Sequence, residues 1–291
     1  MTGRPLAHHR LDGPRAAPPL ILGPSLGTST AVWEPQLADL AREHRVLRWD
    51  LPGHGGTPAD ILPSVCEPGA TTVADLARLV LDLADHHGWP RFGYAGISLG
   101  GAVGAHLAVH HPERVGALAL VCSSARFGEP AAWRERAALV RERGTAAVLA
   151  ATPGRWFADP DAAAASGPGG AVLADLAAAD RHAYAACCDA LAGYDLRAAL
   201  GGISAPTLVV AGRDDPATPP PHARELADAI PGADLLELGR AAHLAGLDRP
   251  ADTGRALAAH FAAPAGRSRH GETAHHGAPA RPGAPAHPDT P

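Results

Sequence analysis

The chain has 291 residues and a net charge of −5, and this length suits one large domain or two small ones. An acidic balance without any block of like charge argues against nucleic-acid partners and against binding to a charged membrane surface. All 25 basic residues are Arg, and a chain without Lys cannot carry out Schiff-base chemistry or build a P-loop around a lysine.

The first part of the chain alternates between predicted strands and helices. Residues 4–22 are predicted to form a hairpin that turns at 12–13 and ends in a buried strand. The loop at 23–30 is rich in glycine but lacks the spacing of a phosphate-binding loop. Helical periodicity predicts a helix over 33–42, and the next apolar run predicts a strand over 45–50.

The alternation continues after an irregular, proline-rich stretch at 58–70. Residues 71–87 carry apolar side chains at helical spacing, which predicts an amphipathic helix. A short apolar run that ends at Ala95 predicts a strand. The near-continuous apolar run over 115–122 predicts another strand, covered on both of its faces.

A sharp turn is predicted at Ser98, between the strand that ends at Ala95 and a helix of small residues. Residues 96–100 read GISLG, which is the G-x-S-x-G pattern in its strand–turn–helix context. Gly96 and Gly100 leave room for a strained backbone at Ser98. The hydroxyl would then lie beside a helix N-terminus, which favours developing negative charge. The pattern by itself also fits a plain strand-to-helix turn.

Residues 126–200 interrupt the alternation, because they are rich in Ala and contain no strand-like run. Helices are predicted over 131–143, 145–151 and 171–191, with a low-complexity loop at 161–170. We interpret this segment as a helical cap inserted over the sheet.

After the cap the alternation returns, with strands predicted over 206–211 and 234–238 and helices over 222–230 and 250–261. Strands that alternate with helices imply an α/β fold with a mostly parallel central sheet flanked by helices. The predicted organisation has a core in two parts, over 1–125 and 201–263, with the cap between them over 126–200. A disordered tail is predicted over 264–291.

The remaining composition bears on metals and on the cellular compartment. The histidines of the tail and the histidine doublets elsewhere fit no zinc spacing, so no metal site is expected. The cysteines form neither a C-x-x-C site nor a secreted framework and are interpreted as small buried residues: Cys66, Cys122, Cys187 and Cys188. Without a long apolar stretch at the start or elsewhere, a cytoplasmic protein with no membrane partner is expected.

Ser98, Asp215 and His243 are the candidate catalytic residues. A serine nucleophile needs a base, and the base needs an orienting acid, in the chain order Ser, Asp, His for this type of sheet. Asp215 follows the predicted strand over 206–211, and His243 follows the last predicted strand. Loops that leave the carboxyl ends of parallel strands converge at one edge of the sheet. Asp214 is the rival candidate for the acid.

Two backbone N–H groups are predicted to form an oxyanion hole. One belongs to Leu99, directly after the serine, and the other comes from the loop after the first buried strand. Pro24 in that loop has no N–H, so Leu26 is the candidate donor.

In these residues and in several longer stretches, the chain resembles the 3-oxoadipate enol-lactonases of the α/β-hydrolase superfamily. The stretches that carry the resemblance are 25–36, 96–101, 122–133, 184–191, 212–220 and 241–244. The resemblance covers roughly 18–262 and implies hydrolysis of 3-oxoadipate enol-lactone, in the protocatechuate branch of aromatic degradation, by Ser98, Asp215 and His243 without any cofactor. Thr57 departs from the Ser that many relatives have at that position.

The substrate that the resemblance implies carries a carboxylate, which a guanidinium group is suited to bind. Arg126 and Arg155 are the candidates for that contact, and Trp156 is a candidate pocket residue; surface or core roles are equally open for all three. Two other functions stay open. A general carboxylesterase would use the same three residues on neutral esters, and a non-catalytic binding module would share only the fold.

Overall fold

The computed structural model describes residues 5–161 and 167–262, which are built around one seven-stranded sheet. The strands are β1 (His9–Asp12), β2 (Pro19–Gly23), β3 (Arg45–Trp49), β4 (Phe92–Ile97), β5 (Val115–Val121), β6 (Thr207–Gly212) and β7 (Asp234–Leu238). Their order is β1-β3-β2-β4-β5-β6-β7, and every neighbouring pair is parallel except β1 with β3. The predicted α/β class with a mostly parallel sheet is confirmed.

The central strands are apolar along their whole length because helices cover both faces of the sheet. All six residues of β6 are buried, and four of the five residues of β2 are buried. This is the physical origin of the near-continuous apolar runs from which the strands were predicted.

The predicted hairpin over 4–22 is wrong in its pairing. A turn does occur at Gly13, whose φ is 81°. However, β1 pairs antiparallel with β3, with His9 opposite Trp49, and β3 separates β1 from β2. The reason lies in burial: β2 is almost fully buried and takes parallel neighbours on both sides, whereas the half-buried β1 takes the edge of the sheet.

The helices flank the sheet and connect its strands. They are α1 (Leu37–Leu40), α2 (Val73–His86), α3 (Leu99–His110), α4 (Pro130–Arg143), α5 (Ala146–Leu149), α6 (Pro153–Trp156), α7 (Gly167–Ala178), α8 (Arg181–Ala192), α9 (Pro220–Ala229), α10 (Ala245–Asp248) and α11 (Pro250–Ala262). A capping box between Thr72 and Asp75 starts α2. The predicted helix over 33–42 is instead a 3₁₀ helix, Thr30–Gln36, followed by the single turn of α1.

The segment between β5 and β6 consists of helices, as its composition predicts. The single helix predicted over 171–191 is two helices, because the side chain of Asp180 accepts hydrogen bonds from the N–H groups of His182 and Ala183 and starts α8 anew. Residues 167–170 begin α7 and are not part of a loop, whereas 162–166 lie outside the described residues. The cap boundaries at 126 and 200 stay a prediction.

Three further expectations meet the structure in different ways. The tail over 264–291 lies outside the described residues. Cys66 is exposed, contrary to the interpretation of all four cysteines as buried residues, whereas the other three are buried. Within 5–161 and 167–262, no helix combines the length and apolarity needed to cross a membrane, and no three His, Cys, Asp or Glu residues are grouped to hold a metal ion.

Candidate active site

Ser98 occupies a strained turn between β4 and α3, with φ 55° and ψ −116°. A Cβ atom on Gly96 would lie 2.2 Å from the carbonyl group of Gly100, and one on Gly100 would lie 2.5 Å from the carbonyl oxygen of Gly23. Glycine is therefore required on both sides of the serine. The Ser123 hydroxyl donates a hydrogen bond of 2.9 Å to the carbonyl oxygen of Ser98 and so holds the turn from the end of β5.

Asp215 and His243 meet at the carboxyl edge of the sheet. Nδ1 of His243 lies 2.9 Å from Oδ2 of Asp215, and both side chains are buried. A carboxylate only accepts hydrogen bonds, so Nδ1 carries the proton and Nε2 is left as an acceptor. Asp214 is exposed and next to this pair. The structure thus joins Asp215 to the histidine and leaves the rival carboxylate in solvent.

The carboxylate of Asp215 is held by more than the histidine. Its Oδ1 accepts hydrogen bonds from the N–H groups of Ala217 and Thr218, at 2.7 and 3.0 Å, and its Oδ2 accepts the Thr218 hydroxyl at 2.7 Å. Burial by itself would raise the pKa of Asp215, but attraction to His243 and these hydrogen bonds outweigh it and the pKa lies below its ordinary value. Asp215 is therefore charged at neutral pH.

Ser98 and His243 line the same partly open cavity, of about 30 Å³. The other residues that line it are Ser25, Leu26, Trp133, Arg136, Thr152, Arg155, Trp156, Tyr184 and Ala217. About 10–15 Å³ of such space holds one water molecule.

The two residues predicted to supply the oxyanion hole, Leu26 and Leu99, both lie near Ser98 in the fold: Leu26 lines the same cavity, and Leu99 directly follows the serine. Leu99 is the first residue of α3, where a backbone N–H has no acceptor inside the helix. Within the described residues, neither backbone N–H is paired with a protein acceptor. The two groups are thus available to a ligand oxygen beside Ser98.

Two guanidinium groups, Arg136 from α4 and Arg155 from α6, line the cavity on the cap side. Arg136 donates a 2.6 Å hydrogen bond to the Tyr184 hydroxyl, and neither Arg forms a direct ion pair with a carboxylate in the described part of the chain. Arg155 is exposed as a residue, but partial desolvation of its guanidinium first, and repulsion from Arg136 second, lower its pKa. The cap half of the cavity therefore carries positive charge without a direct negative partner.

The structure places the other predicted residues unequally. Trp156 is buried and lines the cavity, as does Arg155. Arg126 instead pairs with Glu129 at 3.1 Å and is absent from the lining of this cavity. Arg136 was missed by sequence reasoning, because it is one of several arginines on a predicted cap helix and no local pattern distinguishes it from a solvated one.

Comparison with known proteins places this geometry in a wider context. Residues 18–250 match the family described as the alpha/beta hydrolase fold. Over 233 residues, 80% of this chain and 84% of the relative, the chain is 34% identical to 3-oxoadipate enol-lactonase 2 of Acinetobacter baylyi. Over 266 residues, 86% and 94% of the two chains, it is 32% identical to a Variovorax paradoxus protein, RutD, that is proposed to be a carbamate hydrolase.

A solved structure gives the same result. The enol-lactonase from Burkholderia xenovorans LB400 superposes with a TM-score of 0.82 at 34% identity, and the alignment covers 88% of this chain and 96% of that chain. These similarities confirm the predicted resemblance to the enol-lactonases.

Proposed function

The chain belongs to the α/β-hydrolase family, and from that premise we propose that it hydrolyses 3-oxoadipate enol-lactone to 3-oxoadipate in the protocatechuate branch of aromatic degradation. The relatives support the broader statement that it acts on an ester or a lactone. The choice of this particular lactone is supported by the pair Arg136 and Arg155, which lacks a direct carboxylate partner and faces the same cavity as Ser98. This lactone bears a free carboxylate, which a neutral ester lacks.

In the first half-reaction, Ser98 attacks the lactone carbonyl. His243 takes the serine proton through Nε2, and Asp215 at Nδ1 stabilises the imidazolium that forms. The carbonyl oxygen gains negative charge and accepts hydrogen bonds from the N–H groups of Leu26 and Leu99. The ring C–O bond then breaks as His243 returns its proton to the leaving oxygen, and the enol that forms tautomerises to the ketone.

In the second half-reaction, water cleaves the acyl-enzyme. His243 has returned its proton to the leaving oxygen, so it is again a base and deprotonates the water. The water oxygen adds to the acyl carbon, the bond to Ser98 then breaks as His243 returns the proton to the serine oxygen, and the second carboxylate of the product is released. The cap cations and the Ser98 carbonyl site thus act on opposite ends of the same small molecule.

The binding step uses the cap half of the site. Arg136 and Arg155 hold the carboxylate of the lactone through charge-assisted hydrogen bonds, which are stronger than neutral ones. To do so, Arg136 exchanges its bond to the Tyr184 hydroxyl for the substrate.

The first experiment measures hydrolysis of 3-oxoadipate enol-lactone by the loss of its ultraviolet absorbance, with wild type beside Ser98→Ala. We expect turnover that falls by ~10⁴-fold or more in the variant, as removal of a serine nucleophile does elsewhere. Ser124→Ala is a matched control, because its hydroxyl bonds to the Arg126 carbonyl and not to the turn at Ser98.

The same assay separates the alternatives. A phenyl ester that is cleaved in a Ser98-dependent way, with no turnover of the lactone, would identify a general carboxylesterase and discard the pathway. Binding of the lactone without any hydrolysis, unchanged in Ser98→Ala, would identify a binding module of the same fold.

A further inference from the structure

The loop that carries Leu26 is joined to a histidine from a different loop. The backbone N–H of Gly27, the next residue along, donates a hydrogen bond to Nε2 of His54 over 3.2 Å. Gly27 has a φ of 87°, and a Cβ atom there would lie 2.8 Å from Leu176 of the cap. His54 itself is buried, so this contact is shielded from water.

Both ring nitrogens of His54 are occupied, which fixes its tautomer. Nδ1 lies 2.8 Å from the carbonyl oxygen of Pro52 and must donate to it. Nε2 must then be bare to accept the Gly27 N–H, so only the neutral ring satisfies both contacts. Burial lowers the pKa of His54, against the opposing hydrogen bond to Pro52 and the pull of nearby carboxylates, and this favours the neutral ring.

We propose that His54 is a positioning residue, which holds the peptide after Leu26 so that the Leu26 N–H stays aimed at the oxyanion beside Ser98. This inference rests on the proposed function, because it takes Leu26 as an oxyanion donor. A hydrogen bond to the Gly27 N–H restricts rotation of the backbone at Leu26. A donor that is aligned in advance stabilises the transition state without reorganisation during the reaction.

Neighbouring hydrogen bonds also connect the loop that carries Leu26 to the loop that carries His54. Asp50 accepts hydrogen bonds from the N–H of Thr30 at 2.6 Å, after the Leu26 loop, and from the N–H of Gly56 at 2.9 Å, after His54. The ring of His54 also stacks on Tyr184, with centroids 6.1 Å apart. Asp50 fixes the outer ends of the two loops, whereas His54 reaches the peptide next to the donor.

Two substitutions separate positioning from general structure. In His54→Asn, the side-chain amide is placed to donate to Pro52 but is too short to accept from Gly27. In His54→Gln, the longer side chain places an amide oxygen near the former Nε2, where it can accept the Gly27 N–H. The pair therefore differs in the one contact that the proposal invokes.

We expect His54→Asn to lower kcat by ~10- to 100-fold, less than the ~10²- to 10³-fold loss that follows complete removal of one oxyanion donor. KM should change less than about twofold, because a misaligned donor acts on the transition state. A phenylboronic acid, which forms a tetrahedral adduct on Ser98, should lose affinity by the same factor as kcat. Affinity for the product 3-oxoadipate should not change, and His54→Gln should recover most of kcat.

Three results would overturn the proposal: wild-type kcat in His54→Asn, equal loss in both variants, or a loss confined to KM. The wild-type enzyme provides a test that does not depend on the variants folding. Its ¹⁵N spectrum should show a protonated Nδ1 and an unprotonated Nε2 on His54, with scalar coupling to the Gly27 N–H. Protonation at Nε2 would equally overturn it.

This experiment remains distinct from the test of the proposed function. If the lactone is not hydrolysed but a phenyl ester is, the same variants are compared on the ester, where the oxyanion is chemically the same. Absence of all Ser98-dependent turnover would reject the proposed function. An active wild type with an unaffected His54→Asn would reject the role of His54 alone.

Discussion

The half of the site formed by strand ends and the half formed by the cap are held in opposite ways. At the strand ends, Asp215 accepts hydrogen bonds from two N–H groups and a hydroxyl in addition to its contact with His243. On the cap side, Arg136 is partly buried and Arg155 is exposed, and both line the cavity without a direct carboxylate partner among the described residues. Protein groups alone therefore hold the Asp215–His243 pair, whereas under the proposed function a ligand of opposite charge completes the cap half.

Because of this difference, we expect substitutions in the two halves to change the kinetics in different ways. Changes at the strand ends should lower turnover of every substrate by a similar factor, because each substrate passes through the same oxyanion. Changes on the cap should instead alter the preference between anionic and neutral substrates.

The largest effect is expected from Asp215→Asn, which keeps the shape of the side chain but removes the charge that orients His243. We expect kcat to fall by ~10⁴-fold on lactone and neutral ester alike, as in other serine enzymes with a disrupted acid. Asp214→Asn is the matched control, because Asp214 is exposed beside it. A large loss in Asp214→Asn with an active Asp215→Asn would reverse the assignment of the acid.

The next largest effect is expected on the cap. Arg136→Met and Arg155→Met should each lower kcat/KM for the lactone by ~10- to 100-fold, since a hydrogen bond to a charged group contributes about 1.5–3 kcal/mol. Hydrolysis of a neutral phenyl ester should change by less than about threefold. Arg126→Met, at a residue paired with Glu129 outside the cavity, should leave both rates unchanged. Equal losses on both substrates would remove the distinction between the two halves.

A smaller effect is expected from Ser123→Ala, which removes the hydrogen bond to the Ser98 carbonyl. The free energy of unfolding should fall by about 1 kcal/mol, and kcat should fall a few-fold on both substrates as the strained turn relaxes. Ser124→Ala removes the two hydrogen bonds between the Ser124 hydroxyl and the Arg126 backbone, away from this turn, so it should reduce stability at least as much and spare kcat. Chemical denaturation and steady-state kinetics measure the two quantities.

The smallest effect concerns the pH dependence of stability. The pKa of Asp215 in the folded chain lies below 3.8, its ordinary value. A depressed carboxyl pKa stabilises the fold above the unfolded pKa, and this contribution is lost as pH falls through the folded pKa. The difference in unfolding free energy between wild type and Asp215→Asn should therefore shrink as pH falls below about 4. A difference that stays constant from pH 6 to pH 3 would contradict it.

Local patterns predicted the parts of this molecule that depend on residues close together in the chain. The turn at Ser98 could be predicted because Gly96 and Gly100 are needed within two residues of the strained serine. The order of Asp215 and His243 after their strands could be predicted because parallel strands all end at the same edge of the sheet. The break at Asp180 was missed, although an N-cap side chain is a local signal.

Residue patterns alone were thus enough to predict the α/β class, the strained turn and the order of the three candidate catalytic residues. Three features could be read only from the folded chain: β3 lies between β1 and β2, Arg136 faces the cavity while Arg126 does not, and His54 accepts a hydrogen bond from Gly27. The physical reason is distance along the chain. Glycine spacing and apolar periodicity act within a few residues, whereas these contacts join segments whose approach depends on strand order and on helix packing.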